Sequence, residues 1–152
     1  MKTLKFRAWD KELEIMYNHE FSIHTNGFYV PNNSTTGHLD NTAHFIRWDS
    51  KRARTILMQF TGLQDKNGKD IYKGDIVKQT AKAYYDENHI DKTYIGEVVI
   101  LASKGTCLKK PKCKNNLTGS TYNVDYYVNV AQYRSEVIGN IHEHDHLLVT
   151  SI

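Results

Sequence analysis

A chain of 152 residues and 17.6 kDa holds one domain, or one domain with a small appendage. Hydrophobic residues make up 39% and charged residues 24%, with 2 Pro and 9 Gly, which excludes collagen-like, low-complexity and mainly disordered chains. The net charge of +3 is too weak to imply nucleic acid by itself, but Lys104, Lys109, Lys110, Lys112 and Lys114 fall in one acid-free run, so the rest of the chain sums to −2.

Tyrosine outnumbers phenylalanine 10 to 5, which suits sheets with one dry and one wet face. Leu4, Phe6 and Ala8 alternate with Lys5, Arg7 and Trp9, the pattern of a first strand. Glu14 to Tyr17, Phe21 to Ile23 and Phe28 to Val30 follow as short strands, the last two joined by the turn His24-Thr25-Asn26-Gly27. Together these predict a β-meander. Pro31 to Asn41 is rich in turn formers and reads as a loop, while Ala43 to Trp48 fits either a capped short helix or a strand.

Thr55 to Thr61 is apolar and β-prone, and Lys69 to Gln79 contains a further extended segment, with Asp65-Lys66-Asn67-Gly68 as the turn between them. Asn67 and Gly68 tolerate positive φ, and Gly74-Asp75 permits a sharp entry into the strand beginning at Ile76. Tyr94 to Ala102, Tyr122 to Tyr133 and Glu136 to Ile141 supply three more strands, the second alternating Tyr122, Val124, Tyr126, Val128 and Val130 with polar residues. The lysine-rich stretch Ser103 to Ser120 reads as a long, mobile insertion.

Three blocks bear a resemblance to a known family. KFRAWDKE at Lys5 to Glu12, TGLQDKNGKDIYKGDIV at Thr61 to Val77 and EVIGNIHE at Glu136 to Glu143 resemble, in the same order, the YopX family of phage and prophage proteins. The resemblance implies a β-rich fold, a phage or prophage origin and self-association, and brings no catalytic activity. The tail departs from the family pattern, with His142-Glu143-His144 where the family tends to carry Tyr-Glu-Asn, so its chemistry is not inherited.

Candidate chemistry is sparse. Cys107 and Cys113 have five residues between them and lack the second pair a zinc site needs, leaving two free thiols or a labile disulfide favoured by neighbouring lysines. His142, His144 and His146 would line one face of a continued final strand within reach of a metal; a solvated tail is the plainer reading. Arg47, Lys51, Arg52 and Arg54 surround Trp48 and, with Lys104, Lys109, Lys110, Lys112 and Lys114, form a candidate nucleic-acid surface. Asp65 and Asp75 read as turn caps in preference to an acid–base pair. Asn33-Ser34-Thr35 and Asn116-Leu117-Thr118 match a glycan acceptor pattern and read as loop residues. No phosphate-cradle, zinc-protease or nucleophile-elbow motif occurs.

The expectation is an all-β protein, with a meander over residues 1–54 and an SH3-like or small open barrel over residues 55–152. Neither cofactor nor enzymatic activity is expected. Without an apolar run long enough to span a membrane, or a secretory leader, the chain is assigned to the cytoplasm, that of the bacterial host. The first function is a phage accessory module that pairs with other proteins, including copies of itself through an edge strand at Leu4 to Trp9; the alternative is nucleic-acid binding.

Overall fold

The structure, a computed structural model, describes residues 5–18, 22–24, 27–30, 44–47, 55–82 and 90–150, and for 22–24, 27–30, 44–47, 90 and 150 it describes the backbone. The all-β expectation holds: the regular elements among the described residues are strands apart from a 3-10 turn at Gln132–Arg134 and a five-residue helix. None of their helices is long and apolar enough to cross a membrane. The chain divides into two compact units, Met1–Gln59 and Phe60–Ile152, with the division inside one long strand.

In the first unit β1 (Phe6–Asp10) pairs antiparallel with β2 (Ile15–Tyr17) and with the opening of β6 (Thr55–Gln64), placing Trp9 between Met16 and Ile56. Asp10 turns the chain between β1 and β2: its Oδ1 accepts the N–H groups of Glu12 at 2.9 Å and Leu13 at 3.0 Å. Ala8, Trp9, Tyr17 and Met58 are buried. The predicted free edge at Leu4 to Trp9 is corrected here, because β1 is flanked on both sides by strands of its own chain, and Leu4 lies outside the described residues. β3 (Ser22–His24), β4 (Gly27–Val30) and β5 (His44–Arg47) form a three-stranded meander whose membership differs from the expected one, since β2 pairs with β1 and β5 takes its place; β5 also resolves the helix-or-strand choice as a strand. The loop Pro31 to Asn41, Asn33-Ser34-Thr35 within it, and the turn residues Thr25 and Asn26 lie outside the described residues.

In the second unit the end of β6 pairs with β7 (Asp70–Tyr72) across the Asp65–Gly68 turn. A tight turn at Lys73-Gly74 leads into β8 (Asp75–Lys82). An antiparallel sheet then runs in the order β11 (Thr121–Asn123), β10 (Gly105–Asn115), β9 (Ile90–Leu101), β8, β13 (Ser135–Asn140), with β12 (Val128–Asn129) also on β10. The sheet is open, ending at β11 and β13. One face buries Val77, Tyr94, Val98, Leu108, Cys113 and Val137, joined by Ile71 and Val124. Val98 opposite Leu108, and Tyr94 opposite Cys113, are the cross-strand pairs at its centre. Each such aliphatic burial stabilises by about 1.5–3 kcal/mol.

Two sequence expectations are corrected in this unit. Ser103 to Ser120 is not a loop: it contains β10, hydrogen-bonded to β9 from Gly105 to Asn115, with Cys107, Leu108, Pro111 and Cys113 buried. Tyr122 to Tyr133 is not one strand: it is β11, a bend, β12 and the 3-10 turn, and of its tyrosines Tyr122, Tyr126 and Tyr133 are exposed. The tail also departs from a continued strand. β13 ends at Asn140, whose Oδ1 accepts the N–H groups of His142 and Glu143, both at 3.0 Å, and α1 (His146–Thr150) follows.

Candidate functional site

Strand β10 owes its shape to one bulge. Lys109 opposes Glu97 and Lys112 opposes Ile95, so Lys110 and Pro111 together face the single residue Gly96. A Cβ on Gly96 would meet the Pro111 Cβ at 2.8 Å, so the fully buried proline ring fits only because the opposite residue is glycine. Lys110 takes φ +37, which swings its side chain outward. There its ammonium pairs with the Asp125 carboxylate at 2.8 Å, both side chains remaining solvent-exposed. Asp125 draws the Lys110 ammonium above its ordinary pKa, and Lys110 holds the Asp125 carboxyl below its own.

The segment Thr121 to Val130 runs antiparallel along the outer side of β10 for its whole length. β11 pairs with Lys112 to Lys114, Val124 N–H donates to Pro111 O at 2.9 Å, β12 pairs with Cys107 and Leu108, and Val130 N–H donates to Thr106 O at 3.1 Å. The segment's partners run from Lys114 to Thr106, eight steps with one taken up by the bulge, which makes an edge about 23–26 Å long. Along it the Lys104 ammonium lies 6.0 Å from the centre of the Tyr127 ring, and past its end, in the 3-10 turn, the Arg134 guanidinium lies 4.9 Å from that of Tyr133. Tyr126 is 58% and Tyr133 74% exposed. From Lys104 to Arg134 the chain carries six cations and one acid, Asp125. The arrangement offers aromatic faces interleaved with positive charge and holds no nucleophile–base pair.

Beneath this edge Cys113 sits beside the hydroxyls of Tyr94 and Tyr122. Burial, with Cys113 and the neighbouring phenols, pushes Tyr94 up to about 12. Cys107 lies in the same strand, its thiol 3.2 Å from Asn129 Oδ1. Burial pushes the Cys107 thiol up against the opposing pull of Lys104, so nearby lysine does not make it a thiolate. Both cysteines are free and buried. Their positions on one extended strand set them about 17–20 Å apart, beyond the roughly 4.4–6.8 Å Cα separation of a disulfide. Of the two readings left open, two free thiols hold and the loop-closing disulfide does not.

The five lysines do not act together. Lys104, Lys109 and Lys110 lie exposed near the tyrosine-bearing edge, Lys112 donates through Nζ to Val149 O at 3.1 Å and holds α1, and Lys114 is half-buried beside Thr93 and Thr121. Arg47 ends β5, while Trp48, Lys51, Arg52 and Arg54 lie outside the described residues. The histidines do not share a strand face: His142 and His144 belong to the Asn140 turn, and His146 opens α1, its ring 6.2 Å from that of His144. Among the described residues no group of three or more His, Cys, Asp or Glu is placed to hold a metal.

Asp65, Asn67, Gly68, Gly74 and Asp75 build turns. Asp65 Oδ1 accepts from Asn67 N at 2.8 Å and Lys69 N at 3.0 Å, and its Oδ2 from Val137 N at 3.0 Å. Gly68 and Gly74 take φ +80 and +86, and Asp75 Oδ2 accepts from Tyr72 N at 2.7 Å. Burial works to raise the Asp65 carboxyl, but the donors of Val137, Lys69 and Asn67 and the Lys69 charge outweigh it and hold the group below its ordinary pKa.

What the sequence reading missed was the tyrosine edge. Its signal was present, since Leu108, Pro111 and Cys113, with Cys107, are buried within the lysine run. The bulge changes their spacing from two to three, so a search at period two passes over them.

A protein family described as YopX protein matches residues 5–149. The crystal structure of protein EF1440 from Enterococcus faecalis is 23% identical, with 96% of this chain and 98% of that chain covered and a TM-score of 0.50. That likeness is one of fold. No functionally curated protein matches the chain.

Proposed function

This chain belongs to the YopX family, and from that premise we propose that it acts without catalysis as a nucleic-acid-binding protein whose working surface is the outer edge of β10. One observation carries the reading: the lysine run folds as a strand and sets Lys104 against Tyr127, beside Lys109, Lys110 and the exposed Tyr126. Cations answer phosphates and aromatic faces answer bases. Lysine is depleted at protein–protein interfaces, which decides the order of the two readings here. On the strength of the family, the protein is taken to be a phage or prophage accessory factor of the host cytoplasm. Fluorescence anisotropy with mixed-sequence DNA and RNA oligonucleotides tests the proposal. Binding at 50 mM salt that weakens steeply by 200 mM supports it, and no binding at 50 mM salt sinks it.

A second reading takes a partner protein, and the exposure of Tyr126 and Tyr133 favours it, because tyrosine and arginine dominate interface hot spots. A complex of that kind holds through the same salt range.

A further inference from the structure

Resting on the nucleic-acid reading, we infer that the ligand is a single strand, laid along the Thr121 to Val130 edge and onto the 3-10 turn that follows it, with unpaired bases stacked on Tyr126 of the edge and Tyr133 of the turn. Three features argue for a strand over a duplex. The rings of Tyr126 and Tyr133 stand 58% and 74% exposed, and only an unpaired base offers a free π face to them. Duplex readers commonly place a helix in the major groove. The helix among the described residues is α1, five residues long, and Lys112 holds its carbonyl end. The cations beside the edge and the turn are few: Lys104 at Tyr127, Lys109 and Lys110 at the bulge, and Arg134 at Tyr133. Four charges suit the phosphates of one backbone in preference to two.

Asp125 is the acid on this edge, and its carboxylate already sits on Lys110, which marks where a ligand phosphate would dock by displacing it. Three or four phosphate contacts predict a log–log salt slope of about −2 to −3 for a single strand. An edge of this length covers a site at the short end of the range for sheet-based single-strand binders, about 4–6 nucleotides.

The experiment measures anisotropy of a labelled oligo-dT of about twelve nucleotides, its duplex with oligo-dA, and a glutamate-rich peptide of equal length, using the full chain. The single strand is expected to bind at least about tenfold tighter than the duplex. Tyr126→Ala and Tyr133→Ala should each weaken it by about five- to a hundredfold with unchanged melting temperature, while the Phe variants bind like the parent. Equal binding of the duplex overturns the single-strand inference and leaves the nucleic-acid reading standing. Single-strand binding untouched in the double Tyr→Ala variant overturns the stacking role. Absence of binding by both nucleic acids, with or without capture of the peptide, overturns both readings.

Discussion

Two segments of the second unit are dense in lysine and contain glycine, yet Asp65 to Gly74 folds back on itself while Lys104 to Lys114 continues from Gly105 as one strand through a bulge. The difference is the supply of side-chain acceptors. Asp65 takes the N–H groups of Asn67 and Lys69, and Asp75 takes that of Tyr72, so the backbone there is satisfied locally and reverses. Lysine has three donors and no acceptor, and cannot cap a turn. From Thr106 to Lys114 the backbone of β10 instead pairs with β9 on one side and with Thr121 to Val130 on the other. The strand ends where an acceptor returns: Asn115 Oδ1 takes the N–H groups of Leu117 at 2.9 Å and Thr118 at 3.1 Å. Asp10 and Asn140 do the same after β1 and β13.

The widest test of this contrast is to delete Thr106 to Cys113. A mobile insertion would be dispensable, whereas a central strand that buries Leu108 and Cys113 and pairs on both sides is not. The deletion should abolish the cooperative unfolding transition in circular dichroism, and a cooperative melt near the parental temperature would return the segment to a loop. One step smaller, Leu108→Ala removes a fully buried side chain from the core and should cost about 2–5 kcal/mol in urea unfolding. A loss below about 0.5 kcal/mol would show that β10 is not part of the core.

How far the sequence spoke follows from the same physics. The turn at Asp65–Gly68, the entry at Gly74-Asp75 and the strands around Val77, Val98 and Val137 were legible because each is specified by neighbours in sequence. β10 was not, because Pro111 signals a break unless a glycine opposite it makes room. Gly96 lies fifteen positions away and is recognised as its counterpart only through the sheet register. The tyrosine edge was half legible: the tyrosines and lysines were visible as composition, but their meeting depends on that register. The histidine face failed at one residue, since Asn140 bends the chain before His142 arrives.

The turn side of the comparison is sharpened by pH. Asp65→Asn should cost about 1–3 kcal/mol at neutral pH, because a carboxylate accepting three backbone N–H groups is replaced by a weaker acceptor. The folded Asp65 has a lowered pKa, so its contribution is present above the ordinary carboxylate value of about 4 and is lost as pH falls through the folded value. The urea midpoints of parent and variant should therefore converge below about pH 4. Parallel curves down to pH 2 would deny Asp65 its role. At Gly68, held at φ +80 with open space around it, Val meets only backbone strain and should cost about 1–2 kcal/mol.

The smallest effect is also the most discriminating, because it opposes two adjacent lysines in one strand. Lys109 sits in regular register opposite Glu97, where glycine loses strand propensity and should cost about 0.5–1 kcal/mol. Lys110 occupies the bulge at φ +37, a conformation that a residue with a Cβ adopts at a cost and glycine adopts freely. Lys110→Gly gives up its exposed ion pair with Asp125, a contact weakened by solvent and salt. It also adds backbone freedom to the unfolded chain, which works against the relief of strain. These opposing changes should leave the Lys110→Gly urea midpoint at or above that of the parent, while Lys109→Gly falls below it. Equal losses at both positions would mean that Lys110 lies in ordinary strand geometry, and the bulge that turns its ammonium toward Asp125 would have to be abandoned.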